Sequence, residues 1–347
     1  MKHLLLITIL AHAIAFSQTG MPKFYFAYRA ITPVNLDGNL NDAAWQKAAW
    51  TDTFVDIEGD KKPLPRFLTR AKMVWDDNYF YIAAELQEPH VWGTITKRDS
   101  VIYYDNDFEV FIDPNGDNHQ YYELEMNALN TVWDLFLPKP YRDGGKAMDG
   151  WDIIGLKTAV RVQGTLNNPA DRDSGWTVEI AMPWDVLSEF AHKPCPPQNG
   201  DQWRINFSRV EWKHEIVGGI YRRVPKTRED NWVWSPQGVV DMHRPERWGY
   251  VQFSSEPSGS ARFKPDSTWR LRELLYKVYY AQKSFFDKNK RWAGSLKELE
   301  LVSLVTEIPN CSVTVAPEAD GYTATAEMLI PGSNSIKVNI RQDSLIW

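Results

Sequence analysis

Cysteine is nearly missing from this chain of 347 residues: Cys195 and Cys311 are the two present, far apart in sequence. Neither a disulfide framework nor a Cys/His zinc site can be built from so few thiols. One Cys195–Cys311 bridge and two free buried thiols both remain open. Histidine is scarce as well. Beyond the first residues only His90, His119, His192, His214 and His243 occur, and no pair has the i, i+4 spacing of a helical zinc site. There is no Gly-x-Ser-x-Gly, no phosphate-cradling loop and no dinucleotide fingerprint, so the common signatures of serine hydrolases, P-loop enzymes and dehydrogenases are absent. Basic residues form no stripe, and 39 Lys and Arg against 45 Asp and Glu leave a net charge of −6. Nucleic acid is therefore not an expected partner. No apolar run is long enough for a membrane span.

The one extended apolar run, Leu4 to Leu10, follows Lys2 and His3 and is followed by the small residues Ala13, Ala15 and Ser17. This is the pattern of a signal peptide over residues 1–17, and it predicts a secreted or periplasmic protein. No cysteine lies near the expected cut, so a lipid anchor is not expected.

Aromatic residues are abundant by contrast: 16 Trp, 15 Tyr and 15 Phe. Most must fill a core, but a ring offers a flat apolar face, and Trp adds a donor, so a few are expected at a ligand site. Alternation of apolar and polar residues predicts strands. Val74–Leu86 reads as a hairpin turning at Asp76-Asp77-Asn78, and further strands are expected within 106–113, 121–127, 130–137, 156–163, 175–182, 201–212 and 250–254. Short helices are expected over 40–49 and 183–187. Short strands at this spacing predict a mainly β fold, a two-sheet antiparallel β-sandwich of jelly-roll type spanning residues 18–253. Residues 254–265 have the Ser, Pro and Gly content of a linker. From 266 to 347 a small α+β extension is expected. Its helix would be capped by Ser267 and carry Leu271, Leu274, Leu275 and Val278 on one face, with a second helix over 295–300 and strands over 312–316, 322–329 and 335–341.

Asn106–Asp117 is the segment richest in chemistry. On a strand, Phe108, Val110 and Ile112 point one way and Glu109 and Phe111 the other, so one face is apolar and the opposite face sets a carboxylate beside a ring. On the next strand Glu123, Glu125 and Asn127 would share the face of Glu109. Carboxylates and amides need no raised pKa to hydrogen-bond sugar hydroxyls. The same pair of carboxylates also admits a glycoside hydrolase, whose acid and partner stand about 5–9 Å apart.

Three segments in order, Leu36-Asp37-Gly38-Asn39-Leu40-Asn41-Asp42-Ala43-Ala44-Trp45, Val74-Trp75-Asp76-Asp77-Asn78-Tyr79-Phe80-Tyr81 and Asp107-Phe108-Glu109-Val110-Phe111-Ile112-Asp113, resemble carbohydrate-binding module family 9. Trp234-Ser235-Pro236 and Arg244-Pro245-Glu246-Arg247-Trp248-Gly249 extend the resemblance to about residue 253. It implies a β-sandwich that binds the ends of sugar chains between two Trp rings, with Glu109 accepting hydroxyls. The two ring positions fall on Tyr103 and Met242, so both expected tryptophans are replaced. Trp92, Trp234 or Trp248 could take their place. The resemblance also implies structural calcium, for which Asp105-Asn106-Asp107 and Asp113–Asn118 hold oxygens.

The expectation is thus a non-catalytic binder of an oligo- or polysaccharide, with Tyr103, Glu109, Glu125, Asn127, Trp234 and Met242 as site residues. Two alternatives come from other classes. One is a sandwich that has lost sugar binding and serves as an interaction module. The other is a haem-binding sandwich using Met73, Met126 or Met242 with a histidine on a facing strand.

Overall fold

The computed structural model describes residues 21–306, 308–332 and 334–347, so the expected signal peptide lies outside the described residues. In chain order the first part contains strands β1 (Phe24–Arg29), β2 (Val55–Asp56), β3 (Thr69–Trp75), β4 (Tyr79–Gln87), β5 (Asp107–Asp113), β6 (Tyr121–Asn127), β7 (Val132–Leu137), β8 (Lys157–Gln163), β9 (Gly175–Pro183), β10 (Gln202–Glu211), β11 (His214–Val217), β12 (Ile220–Arg223), β13 (Asp230–Val233) and β14 (Gly249–Ser254). Two short helices interrupt them, α1 (Ala43–Lys47) and α2 (Trp184–Leu187).

The expected mainly β character holds, but the expectation of two separate antiparallel sheets needs correcting. One 12-stranded sheet runs in the order β7-β6-β5-β10-β14-β1-β3-β4-β9-β8, with β13 pairing β10 and β2. The join is β1, which pairs in parallel with β14 on one side and β3 on the other. Hydrophobic alternation could not show this, because it fixes which residues face inward and not which edge a strand joins. The two arms of the sheet share one core. Phe108, Val110 and Ile112 of β5 and Tyr122, Leu124 and Met126 of β6 belong to the same apolar cluster as Ile82, Ala84 and Leu86 of β4 and Val178 and Ile180 of β9.

The Leu36–Trp45 segment is pinned through a carboxylate far away in sequence. Glu179 accepts hydrogen bonds from the Trp45 indole at 2.7 Å, the Asp37 amide at 3.0 Å and the Gly38 amide at 2.6 Å. Gly38 has φ +80°, and a Cβ there would lie 2.7 Å from the Arg161 Cβ, so glycine is required by both backbone and space.

The C-terminal part comprises α3 (Trp269–Asn289), α4 (Val302–Val305) and a three-stranded antiparallel sheet of β15 (Cys311–Pro317), β16 (Tyr322–Met328) and β17 (Ile336–Arg341). The predicted apolar face of α3 is the buried one, and it packs on β16 and β17. No helix forms over 295–300. The backbone turns at Glu300 with φ +59°, and the short helix lies just beyond, in α4. The predicted linker is docked rather than free: Phe263 stacks on Phe24 at 4.4 Å, and the Lys264 amide donates to Gln252 at 3.0 Å. Cys195 and Cys311 are both free thiols, which closes the disulfide alternative.

Candidate functional site

The outer face of β5, β6 and β7 carries two rows of side chains set by strand register. Glu109, Glu125 and Trp133 stand side by side in one row, and Phe111, Glu123 and Leu135 in the next. They form the floor of a cleft of about 410 Å³. Its walls come from irregular segments: Tyr103 from the turn Ile102–Tyr104, Tyr141 from the turn Tyr141–Asp143, and Met242 and His243 from the chain entering Pro245–Arg247. Glu229 and Asn231 complete the rim.

The structure therefore brings together four of the expected site residues, Tyr103, Glu109, Glu125 and Met242. It leaves two elsewhere. Asn127 continues the face of Glu125, but its amide donates to the Ile95 carbonyl at 2.8 Å and to Asp105 at 3.0 Å, while its oxygen caps the Leu129 and Thr131 amides. It shapes the β6–β7 turn and does not line the cleft. Trp234 is a core residue, packed edge-on against Tyr25 at 6.5 Å and beside Phe207 at 6.0 Å. Trp232 and Trp234 do share a face, and that face is the interior.

The rings proposed as substitutes are also accounted for. Trp92 stacks on Tyr221, and Trp248 lies beneath the cleft, where its indole donates to the Met242 carbonyl at 2.9 Å. The aromatic side chains that line the cleft beside Tyr103 are Trp133, Tyr141 and Phe111. Trp133 was missed because its place beside Glu125 depends on the β6–β7 register, which alternation alone does not supply. The Trp133 indole N–H is buried and has no acceptor within the protein.

Burial dominates the electrostatics of the floor. It pushes Glu109 up to about 7, and it raises Glu125 and Glu123 well above the usual carboxylate range, with the charge of Glu109 adding to both. His243 is held neutral, its pKa lowered to about 3 by burial and then by the Arg142 guanidinium. Its Nδ1 pairs with the Tyr121 hydroxyl at 3.0 Å.

Of the carboxylates proposed for calcium, Asp105 and Asp113 are taken up by protein donors, whereas Asp107 Oδ2 is buried without one. Asp113 accepts the Gly116 and Asn118 amides at 2.8 and 2.9 Å, and Asp105 accepts from Thr94, Ile95 and Asn127. Met73 and Met126, offered as haem ligands, are sealed within the apolar core.

Residues 36–252 match the family model described as "Carbohydrate family 9 binding domain-like". The chain belongs to this family. Among curated proteins, this family-9 chain is 31% identical over 160 residues to exoglucanase XynX of Acetivibrio thermocellus, a match covering 45% of this chain and 12% of that protein. It is 28% identical over 158 residues to endo-1,4-beta-xylanase A of Thermoanaerobacterium saccharolyticum, covering 45% of this chain and 11% of that one. The chain thus spans about a tenth of each of these relatives. Among solved structures, a putative carbohydrate-binding protein from Bacteroides uniformis aligns with a TM-score of 0.50 and 13% identity, covering 67% of this chain and 100% of that chain. A family 9 module from Caldicellulosiruptor kristjanssonii in complex with cellotriose aligns at a TM-score of 0.45 and 17% identity, covering 70% of this chain and 100% of that chain.

Proposed function

We propose that the cleft over β5–β7 is the carbohydrate-binding site of this family-9 chain, and that the protein recognises an oligo- or polysaccharide without cleaving it. The row Glu109–Glu125–Trp133 carries this reading, since it sets two carboxyl groups beside an indole ring on the floor of the cleft. A sugar ring needs an apolar face to stack on and both donors and acceptors at its edge. Trp133, Tyr103 and Tyr141 offer rings, while Glu109 and Glu125 offer oxygens. With its pKa near 7, Glu109 can accept or donate at neutral pH. Met242, at an expected ring position, adds a soft apolar contact. The signal-like residues 1–17 support export, which would place the protein where polysaccharide is met.

Calorimetric titration with cellotriose, glucose and a panel of xylo-oligosaccharides tests the proposal. Wild-type protein is expected to bind one of these, and Glu109→Ala to lose binding with its melting temperature little changed. Equal affinity in the variant would remove Glu109 from the site. Silence of the wild type across a full glycan array would reject sugar binding and favour an interaction module.

A further inference from the structure

A second cavity, of about 380 Å³, lies where α3 meets the large sheet, and it shares no residue with the cleft over β5–β7. Arg204 of β10 and Tyr250 of β14 line it from the sheet, and Trp269, Arg272 and Glu273 line it from α3. Lys264, Asp266 and Ser267 complete it from the segment between the two. The α3 side lies beyond residue 252 and so outside the family match, which means that a family-9 module without this extension would not form the cavity.

Arg204 is 8% exposed, and its guanidinium lies over the Tyr250 ring at 4.0 Å. Its Nε and Nη2 donate to the backbone carbonyls of Pro245 and Glu246, and Nη1 has no acceptor within the protein. Among the described residues, then, no carboxylate neutralises this buried cation by contact. The other charges of the lining are already engaged. Asp266 pairs with Arg272 at 3.5 Å, and Glu273 pairs with Arg247 at 3.2 Å. Asp201 accepts the Gln198 amide at 2.8 Å and faces the charge of Lys193. Asp113, opposite Arg204 across the β5–β10 pair, is bound by the Gly116 and Asn118 amides and pushed up to about 7 by burial and Asp117. Arg204 is left in excess, with the exposed Lys264 on the same lining. A buried guanidinium without its anion is costly, so an anionic ligand belongs here.

We infer that this cavity binds a uronic acid residue, with the sugar's carboxylate held by Arg204 and Lys264. A carboxylate on a guanidinium and an ammonium forms charge-assisted hydrogen bonds. A single negative charge suits the site, because a doubly charged phosphate would also meet Asp201, Asp266 and Glu273. Those same carboxylates, with the Ser267 hydroxyl, can accept from the hydroxyls of a sugar, whereas a second acidic group on a peptide would be repelled. Trp269 is half-buried and offers a ring face for the pyranose to stack on. The volume falls in the range of small-molecule sites. This site does not depend on the cleft reading, and it takes a charged sugar where the cleft is assigned a neutral chain.

The test titrates the full mature chain by calorimetry with glucuronate, galacturonate and trigalacturonate, and with acetate as the bare carboxylate. Wild type is expected to bind a uronate, free or within the oligomer, more tightly than acetate. Arg204→Gln should weaken this binding about tenfold or more, the loss of a hydrogen bond to a charged group. Should Arg204→Gln fold poorly, two milder variants carry the comparison: Trp269→Ala, expected to weaken binding about two- to tenfold, and Ser267→Tyr, which fills the cavity and should abolish binding. Absence of uronate binding in the wild type, acetate binding as tight as uronate, or undiminished uronate binding in folded Trp269→Ala and Ser267→Tyr each overturns the site. Glu109→Ala separates the two readings. It should leave uronate binding unchanged, and uronate lost in Glu109→Ala but kept in Ser267→Tyr would move the acidic sugar to the cleft and remove it from this cavity.

Discussion

Arg142 donates to Glu246 at 2.9 Å in the buried seam between the large sheet and α3, and its other nitrogen holds the His243 carbonyl at 2.6 Å. The second Glu246 oxygen accepts the Tyr280 hydroxyl at 2.5 Å, and Tyr280 in turn accepts from Arg244 at 2.9 Å. Alongside, Asp143 accepts from Tyr279 and Ser344 and pairs with Lys283. The C-terminal part thus grips the two segments that carry Tyr141 and His243, and so braces one wall of the cleft.

Removing the charge of Glu246 should therefore unsettle the seam. Burial alone would raise this carboxyl, yet Arg142, Tyr280 and Arg244 hold it below the ordinary range. Glu246→Gln leaves two guanidinium groups short of their anion, which typically costs about 3–5 kcal/mol. Tyr280→Phe removes one hydrogen bond and should cost about 1–2 kcal/mol. Urea unfolding of both variants checks the ordering. A Glu246→Gln protein as stable as wild type would show that the pair contributes little to holding the parts together.

Trp234, expected at the ligand, should instead report on folding. It is 1% exposed, and a Cβ on Gly249 would come within 2.4 Å of its ring. Trp234→Ala is expected to cost about 3–5 kcal/mol through the cavity it leaves. Gly249→Ala should cost about 1–3 kcal/mol through overpacking. Neither substitution touches the cleft, so any residual folded protein should bind sugar as wild type does. A Trp234→Ala protein that melts normally but has lost its ligand would return this ring to the site.

Trp234 lies in the core and Glu109 on the cleft floor, and the difference is a matter of what alternation can carry. The period of two assigns Phe108, Val110 and Ile112 to the interior and Glu109 to the opposite face, and the fold keeps that division. It also groups Trp232 with Trp234, as observed. Which side of the sheet a wholly apolar pair faces is decided by tertiary packing, and there the local pattern is silent. The wall residues lay further out of reach, since the turn of Tyr141 is held by Tyr279 of α3 and the segment of His243 by Arg142, contacts that each span more than a hundred residues. The parallel joint made by β1 belongs to the same class: its partners β3 and β14 flank almost the whole domain in sequence.

Trp133 and Trp248 should separate binding from folding. Trp133 lines the cleft, whereas Trp248 is buried against Phe111 and Tyr121 and does not line it. Losing a stacked ring is worth about 0.5–1.5 kcal/mol, so Trp133→Ala should weaken sugar binding about two- to tenfold with little change in melting. Trp248→Ala should lower the melting temperature sharply. Paired calorimetry and thermal melts decide the point, and a Trp133→Ala variant with undiminished affinity would exclude that ring from the site.

His243 gives the stability a direction with pH. In the unfolded chain an imidazole takes up its proton near pH 6.5, whereas in the fold burial and Arg142 delay it to about 3. Between these values the unfolded state binds more protons, so this residue's contribution is complete above about pH 6.5. It is lost as the pH falls toward 3, at up to about 1.4 kcal/mol per pH unit. Asp113, raised to about 7 by burial and Asp117, works in the opposite sense, so the signature lies in a difference between proteins and not in one curve. Melting wild type and His243→Gln at pH 7.5, 6.5, 5.5 and 5.0 isolates it. Glutamine can still hydrogen-bond Tyr121 but does not titrate, so the variant should lose less stability than wild type on acidification. Parallel melting curves for the two proteins would mean that the imidazole protonates freely in the folded state, and that the wall it belongs to is open to water.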